Sequence, residues 1–239
     1  MTTQQGSAAQ GAPNRDRQHR VFASWYPGRA AAMDRAGFAA YRARLLAGLS
    51  GQVLELGAGS GLNFAHYPAE VERVVAVEPE ARMRERARQA ADRAPVPVEV
   101  VDGVAEDLSA HAGRFDAAVC SLVLCSVPDQ RAALEQLRSV LRPRAKGEVG
   151  EVRLLEHVRA AGSGLAAVQR ALDATVWPRM GAGCHCSRDV TEAIAPAGLA
   201  VKSAELFRFP ARGLTLPTSP HVFVIAVPER RADPGQRGR

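Results

Sequence analysis

Short apolar runs alternate with helix-like stretches along most of the chain. Gln52–Leu56 reads QVLEL, Arg73–Val77 reads RVVAV, and Val98–Val101 and Phe115–Cys120 (FDAAVC) are similar short runs. Runs of this length bounded by glycine or polar residues predict strands buried on both faces. Val149–Leu155 predicts a fifth strand, and Ala200–Phe207 and His221–Val227 predict two more. Between them the period changes. Glu80–Arg93 is rich in helix formers, and Asp129–Leu141 carries Ala133, Leu134, Leu137, Val140 and Leu141 at helical spacing. Asp129 suits an N-cap, and Pro143 follows the helix end. A helix is expected near Leu62–His66, ending at Pro68, and others near Leu165–Val176 and Arg188–Ala197, the last capped by Ser187. Trp25–Leu49 mixes Ala, Arg and Leu at helical spacing, broken by Pro27 and Gly37, and predicts N-terminal helices ahead of the sheet.

Strands alternating with helices predict an α/β, Rossmann-like doubly wound sheet of seven strands with helices on both faces. No helix separates the final two strands, so the last strand should run antiparallel. Residues 1–18 are rich in Gln, Gly, Ala and Ser and predict a disordered tail; 229–239 read the same way. A single domain is expected over 19–228.

The 239 residues suffice for one domain with a sizeable core, and 46% hydrophobic residues exclude disorder throughout. No apolar run is long enough for a membrane span, and the polar start predicts no secretory signal. The net charge of +6 does not point to nucleic acid, because four of the six excess charges lie in the first twenty and last eleven residues. No basic stripe with interleaved aromatics exists. All cationic residues except Lys146 and Lys202 are Arg, which together with abundant Ala suggests a GC-rich bacterial source. Cys120, Cys125, Cys184 and Cys186 are expected to be reduced thiols in a cytoplasm. Nothing in the sequence speaks to oligomeric state.

Glu55-Leu56-Gly57-Ala58-Gly59-Ser60-Gly61 follows the first strand directly. Glycines there let the backbone approach a ligand closely. Glu78 ends the next strand, 21 residues after Gly57, where an acid accepts hydrogen bonds from ribose hydroxyls. Nicotinamide dinucleotides prefer Gly-x-Gly-x-x-Gly, whereas the third glycine here comes one position early. Glu55 beside the loop suits a cationic ligand. S-adenosylmethionine carries a sulfonium and an ammonium and no phosphate, so it fits better.

The sequence resembles the class I S-adenosylmethionine-dependent methyltransferases over about residues 50–160. The matching motifs are Val53–Gly61, Val77-Glu78-Pro79, Gly103–Leu108, Phe115–Ser121 and Leu137–Pro143. More narrowly it resembles the branch of thiol S-methyltransferases related to quinone-pathway methyltransferases. Leu62-Asn63-Phe64, Ser121–Val127, Glu156-His157-Val158, Gly183-Cys184 and Pro220-His221-Val222 carry that likeness. The resemblance implies that Glu55, Gly57, Ala58, Gly59, Gly61 and Asn63 serve the amino-acid part of the cofactor. It also implies that Glu78 takes the ribose, that Pro79 and the backbone at Val104, Ala105 and Glu106 flank the adenine, and that Ser121 and Leu122 sit by the methionine moiety. Relatives carry Asp where this chain has Val104, so Glu106 or Asp102 would have to replace that contact. Arg144-Ala145-Lys146-Gly147 also departs from the family's Gly-Gly turn.

A thiol acceptor needs little activation, since its pKa lies near 8.5. A hydroxyl acceptor needs a base or a metal. His157, at a strand C-terminus, and His221 are the candidate bases; structural histidines bonded to backbone are the plain alternative. Trp25, Tyr26, Cys125, Trp177, Met180 and Cys184 are assigned to an apolar acceptor pocket, with core packing as the plain alternative. Cys184-His185-Cys186 lacks the second cluster of a zinc site, so no metal is expected. The reading is methyl transfer to a small apolar molecule, first a natural-product or xenobiotic thiol. O- or C-methylation of a phenol or quinone is the alternative, and a catalytically silent S-adenosylmethionine-binding protein is the non-enzymatic one.

Overall fold

The computed structural model describes residues 20–143 and 150–229. The expected tails, apart from Glu229, and the Arg144–Gly147 turn lie outside the described residues. Seven strands form one sheet: β1 Gly51–Leu56, β2 Val71–Val77, β3 Val98–Val101, β4 Ala117–Ser121, β5 Glu151–His157, β6 Leu199–Arg208 and β7 Pro220–Pro228. Their spatial order is β3-β2-β1-β4-β5-β7-β6. The first five pair in parallel, and β7 runs antiparallel to both β5 and β6. The order reverses between β1 and β4, where such folds open a crevice at the strand C-termini.

Alternation along the strands divides the core into two layers. Leu54, Leu56, Ala118, Cys120, Leu154 and Val224 face one side. There they meet α4 (Gln130–Ser139) through Ala133, Leu134 and Leu137, and α7 (Thr191–Ile194) through Ile194. Val53, Val74, Ala76, Val119, Leu155 and Phe223 face the other, under α2 (Ala39–Leu46) and α3 (Ala81–Ala91). Burial on both faces is what the near-continuous apolar runs predicted. β6 is the exception: an edge strand, exposed along most of its length.

Helix starts follow local chemistry. The Asp129 carboxylate accepts from Ala132 N at 3.0 Å and caps α4 as expected. Glu80 caps α3 through Met83 N at 2.8 Å. Three expectations change. α1 (Arg20–Met33) runs through Pro27 without a break, with Ala23, Pro27 and Ala30 buried together on its inner side. The turn comes instead at Gly37, whose φ of 111° only glycine adopts easily, within a π-helical turn at Asp34–Phe38. After the glycine loop there is no full helix, only a 3-10 turn at Phe64–His66, because residues 57–70 alone connect β1 to β2. Ser187 does not cap a helix at Arg188. Its N–H donates to Asp173 Oδ2 at 2.8 Å, and the helical turn begins at Thr191, whose N–H donates to Asp189 Oδ1 at 3.1 Å. Two further helices, α5 (Ser163–Asp173) and α6 (Trp177–Met180), stand over the C-terminal end of the sheet's second half. Among the described residues no helix is long and apolar enough to cross a membrane.

Candidate active site

Two clefts open side by side at the C-terminal ends of β1, β4 and β5. The first holds about 920 Å³ of free space, mouth included, and the second about 1300 Å³. Phe22, Tyr26 and Ala30 of α1, with Leu122 and Ser126 after β4, line both and form the boundary between them.

The first cleft is built on the glycine loop. Gly57, Ala58, Gly59 and Ser60 line it, with Glu78, Pro79, Ser121 and Leu122. Gly57 and Gly59 have φ of 68° and 56°. A Cβ on Gly57 would lie 2.4 Å from Val123 Cγ2, so that glycine is fixed by packing. A Cβ on Gly59 would meet nothing within 4 Å, so bare backbone faces the cleft there. Glu78 locks the loop: Oε2 accepts from Gly59 N at 2.8 Å and Oε1 from Glu80 N at 2.9 Å. A carboxylate accepts about four hydrogen bonds, so both oxygens retain capacity toward the cleft. Burial raises the Glu78 pKa against these two backbone donors. Glu80 Oε1, on the same rim, is buried without a partner.

Several residues assigned to the cofactor do not line this cleft. Glu55 is 2% exposed and points to the α2 side of the sheet, where Oε1 accepts from Asn63 Nδ2 at 2.9 Å and Oε2 from Tyr67 Oη at 2.7 Å. Burial lifts its pKa to about 7. Glu55 and Asn63 are thus one layer beneath the cleft, because strand alternation turns Glu55 away from it. Gly61 also faces inward, its φ of 80° set against Ala90 and Phe64. Val104, Ala105 and Glu106 do not line the cleft. Val104 bridges to Asp107, a tight turn that buries Ala105 in the core and leaves Glu106 exposed. Leu62, Glu80 and Met83 line the cleft in their place.

Arg42 is a cleft residue that sequence reasoning missed. It lines the first cleft while 5% exposed, with Nε donating to Asp34 Oδ1 at 2.9 Å. Its Nη1 donates to Asn63 Oδ1 at 3.0 Å and Ser121 Oγ at 3.3 Å. The signal was present: Phe38, Arg42, Leu45 and Leu49 recur at helical spacing, and an arginine in an apolar stripe needs buried partners. Leu122, expected beside the methionine moiety, lines both clefts. Its φ of 59° is uncommon for a non-glycine residue, and such positions gather at functional sites.

All six residues assigned to an acceptor pocket line the second cleft: Trp25, Tyr26, Cys125, Trp177, Met180 and Cys184. So do His157 and His221, which face each other across the β5–β7 register with ring centroids 4.4 Å apart. His221 Nδ1 lies 2.8 Å from Ser219 O, so it donates there, and Nε2 is a buried acceptor without a partner. His157 Nδ1 is likewise buried and unpartnered. Burial holds the pKa of His157 down at about 3 and of His221 at about 4. Both rings are therefore neutral at ordinary pH. Burial also pushes the Tyr26 phenol up to about 12. Among the described residues Arg29 is the one charged side chain that lines the cleft, and no carboxylate does.

The Cys184-His185-Cys186 side chains part company. Cys184 faces Cys125, His185 Nδ1 approaches Gly183 O, and Cys186 Sγ lies 3.3 Å from Asp173 Oδ1. Among the described residues no group of three or more His, Cys, Asp or Glu side chains could hold a metal ion.

The loop after β4 is held from the opposite face of the sheet. Glu156 is fully buried there, its Oε1 accepting from Val123 N at 3.0 Å and lying 3.4 Å from Cys120 Sγ, with burial lifting its pKa to about 7.

The chain has the doubly wound α/β fold seen in the S-adenosylmethionine dependent methyltransferase from Mesorhizobium loti. That structure superposes with a TM-score of 0.61 over 82% of this chain and 99% of its own, at 18% identity. A methyltransferase-domain family matches residues 54–147. Human Thiol S-methyltransferase TMT1B is 32% identical over 187 residues, 76% of this chain and 73% of its own. Human Thiol S-methyltransferase TMT1A is 30% identical over the same length and shares. The chain belongs to the S-adenosylmethionine-dependent methyltransferases, and S-adenosylmethionine is its cofactor. The first cleft suits that molecule, with a backbone cradle at Gly59, a carboxylate at Glu78 with spare acceptor capacity, and a guanidinium at Arg42 for a carboxylate.

Proposed function

We propose that the chain methylates the sulfur of a small, largely apolar thiol held in the second cleft. S-adenosylmethionine supplies a methyl group activated by its sulfonium. Glu78 takes the ribose hydroxyls, Arg42 and the Gly57–Gly59 backbone take the amino-acid end, and Pro79 and Met83 flank the base. Tyr26, Leu122 and Ser126 stand where the clefts meet, so an acceptor lying against them is next to the cofactor's methyl. Holding the two at near-attack distance supplies much of the acceleration in such a displacement.

The observation that carries the thiol reading is the acceptor cleft's lack of a strong base. Burial holds its two imidazoles down at about 3 and about 4, and among the described residues no carboxylate lines it. A phenol, with a pKa near 10, would need a better proton acceptor. A thiol reaches its thiolate unaided in useful amounts at neutral pH. The unpartnered nitrogens of His157 and His221 then serve as hydrogen-bond acceptors that orient the S–H, rather than as bases that hold its proton. The similarity to two human thiol S-methyltransferases supports the same acceptor atom. Four free cysteines, all buried, suit a reducing compartment such as a cytoplasm.

The test is S-adenosylhomocysteine release with a panel of alkyl and aryl thiols beside phenols and quinols of the same skeletons. Turnover confined to thiols is expected. Turnover with phenols or quinols and none with thiols would overturn the reading.

A further inference from the structure

Cys125 and Cys184 come from different elements, the loop after β4 and the turn after α6, yet their sulfurs lie 3.4 Å apart. Backbone contacts hold them there. His185 N–H donates to Cys125 O at 2.9 Å, and Arg188 Nη1 donates to the carbonyls of Cys125 and Val127. Both thiols line the acceptor cleft and are only 3% and 8% exposed. Whatever reaches them must enter that cleft. Cys120 and Cys186 line neither cleft.

We propose that Cys125 and Cys184 form an exchange dithiol that opens small apolar disulfides inside the acceptor cleft, freeing thiols where the methyl acceptor is held. The link to methyl transfer rests on the thiol reading above; the exchange itself does not.

The two sulfurs take distinct parts. The Cys184 thiol is pulled down, first by a hydrogen bond with Cys125 and also by the indole N–H of Trp177. That N–H is buried and has no hydrogen-bond partner. The Cys125 thiol is pushed well up by the same contact and by burial. Cys184, the more exposed of the two sulfurs at 8% against 3%, is the one an incoming disulfide meets first, so it is the attacking thiolate and Cys125 the resolving thiol. The Cys184 sulfur bonds to one sulfur of the incoming R–S–S–R, the S–S bond breaks, and R–S⁻ leaves with the electron pair. That leaving thiolate takes up the proton which Cys184 gave up. Cys125 then loses its proton and attacks the Cys184 sulfur, expelling the second R–S⁻, which takes up that proton. In sum the disulfide is reduced to two R–SH, and the dithiol is oxidised by two electrons to a Cys125–Cys184 disulfide. A low-molecular-weight dithiol restores it by the reverse exchange.

The test uses the full chain under native conditions with dithiodipyridine, a small aromatic disulfide whose thiopyridone product absorbs light. Neither cofactor nor methyl acceptor is present, so failure of methyl transfer would not affect the result. Two thiopyridones per chain are expected, with a mass loss of two hydrogen atoms, a peptide joining Cys125 to Cys184, and reversal by dithiothreitol. Cys125→Ser should stop halfway, with one thiopyridone and one mixed disulfide on Cys184. The proposal is overturned if Cys125 and Cys184 of the wild-type chain remain alkylable after the reagent. A stable adduct on the wild-type chain, or a bond to Cys120 or Cys186 instead, would overturn it equally. The wild-type measurement decides the matter even if the variant does not fold.

Discussion

Replacing Glu78 by Gln tests the assignment of the first cleft with almost no change of shape. The carboxylate is 7% exposed and uses one lone pair on each oxygen for Gly59 N and Glu80 N, at 2.8 and 2.9 Å. An amide presents one oxygen and one NH2. Whichever way it flips, one of those backbone N–H groups faces another donor. An unsatisfied buried N–H costs about 1–3 kcal/mol, so the melting temperature should fall by several degrees. Cofactor affinity should fall separately. A hydrogen bond to a charged group contributes about 1.5–3 kcal/mol, which is roughly ten- to 150-fold in Kd. Titration calorimetry with S-adenosylmethionine and with S-adenosylhomocysteine is the assay. The two share the ribose and differ in the sulfonium charge, so the loss should be the same factor for both. An unchanged Kd for both would refute the ribose assignment. Loss for S-adenosylmethionine alone would mean that Glu78 reads the sulfonium instead.

Other outcomes follow from the same geometry. Gly59→Ala should fold, at a cost of about 1–2 kcal/mol for its positive φ, but bind cofactor more weakly because the methyl projects into the cleft. Gly61→Ala should instead lose mainly stability, since its Cβ would lie 2.8 Å from Ala90 Cβ and the Phe64 ring; melting curves and calorimetry separate the two. The pH profile of kcat/KM with a thiol acceptor should rise with the acceptor's own pKa and show no break near the ordinary histidine pKa of about 6.5. Such a break, abolished in His157→Gln or His221→Asn, would restore a general base. Glu156 has a folded pKa of about 7, above its ordinary value of 4.5, so the folded state holds the proton longer than the unfolded chain does. Wild-type stability relative to Glu156→Gln should therefore fall as pH rises between those two values, by about 2–4 kcal/mol in denaturant titrations. A flat difference across that window would mean that Glu156 is ionised in the fold.

The parallel strands were legible because burial on both faces leaves uninterrupted apolar runs. The glycine loop and Glu78 were legible because their chemistry is local. The acceptor pocket was read from bulky and sulfur-bearing residues after β4 and around α6, and these do converge on one cleft. What escaped depends on long-range placement. Alternation on β1 sends Glu55 beneath the loop, to partners at Asn63 and Tyr67 that no local pattern announces. Arg42 becomes a cleft residue only because α2 packs over Ser121, 79 positions later. The wall supplied by α1 was half seen, since Trp25 and Tyr26 were assigned to the pocket but Pro27 was read as a break. The segment at 104–106 stands outside the cleft lining because Val104 bridges to Asp107 in a tight turn, a pairing that no local pattern announces.

The most direct test of the account is methyl transfer from S-adenosylmethionine labelled with carbon-13 in its methyl group, offered to a molecule that carries both a thiol and a phenol. Product analysis by NMR distinguishes a methyl on sulfur from one on oxygen. The label is expected on sulfur alone, with S-adenosylhomocysteine formed in equal amount. Label on the phenol oxygen with the thiol left free would contradict it.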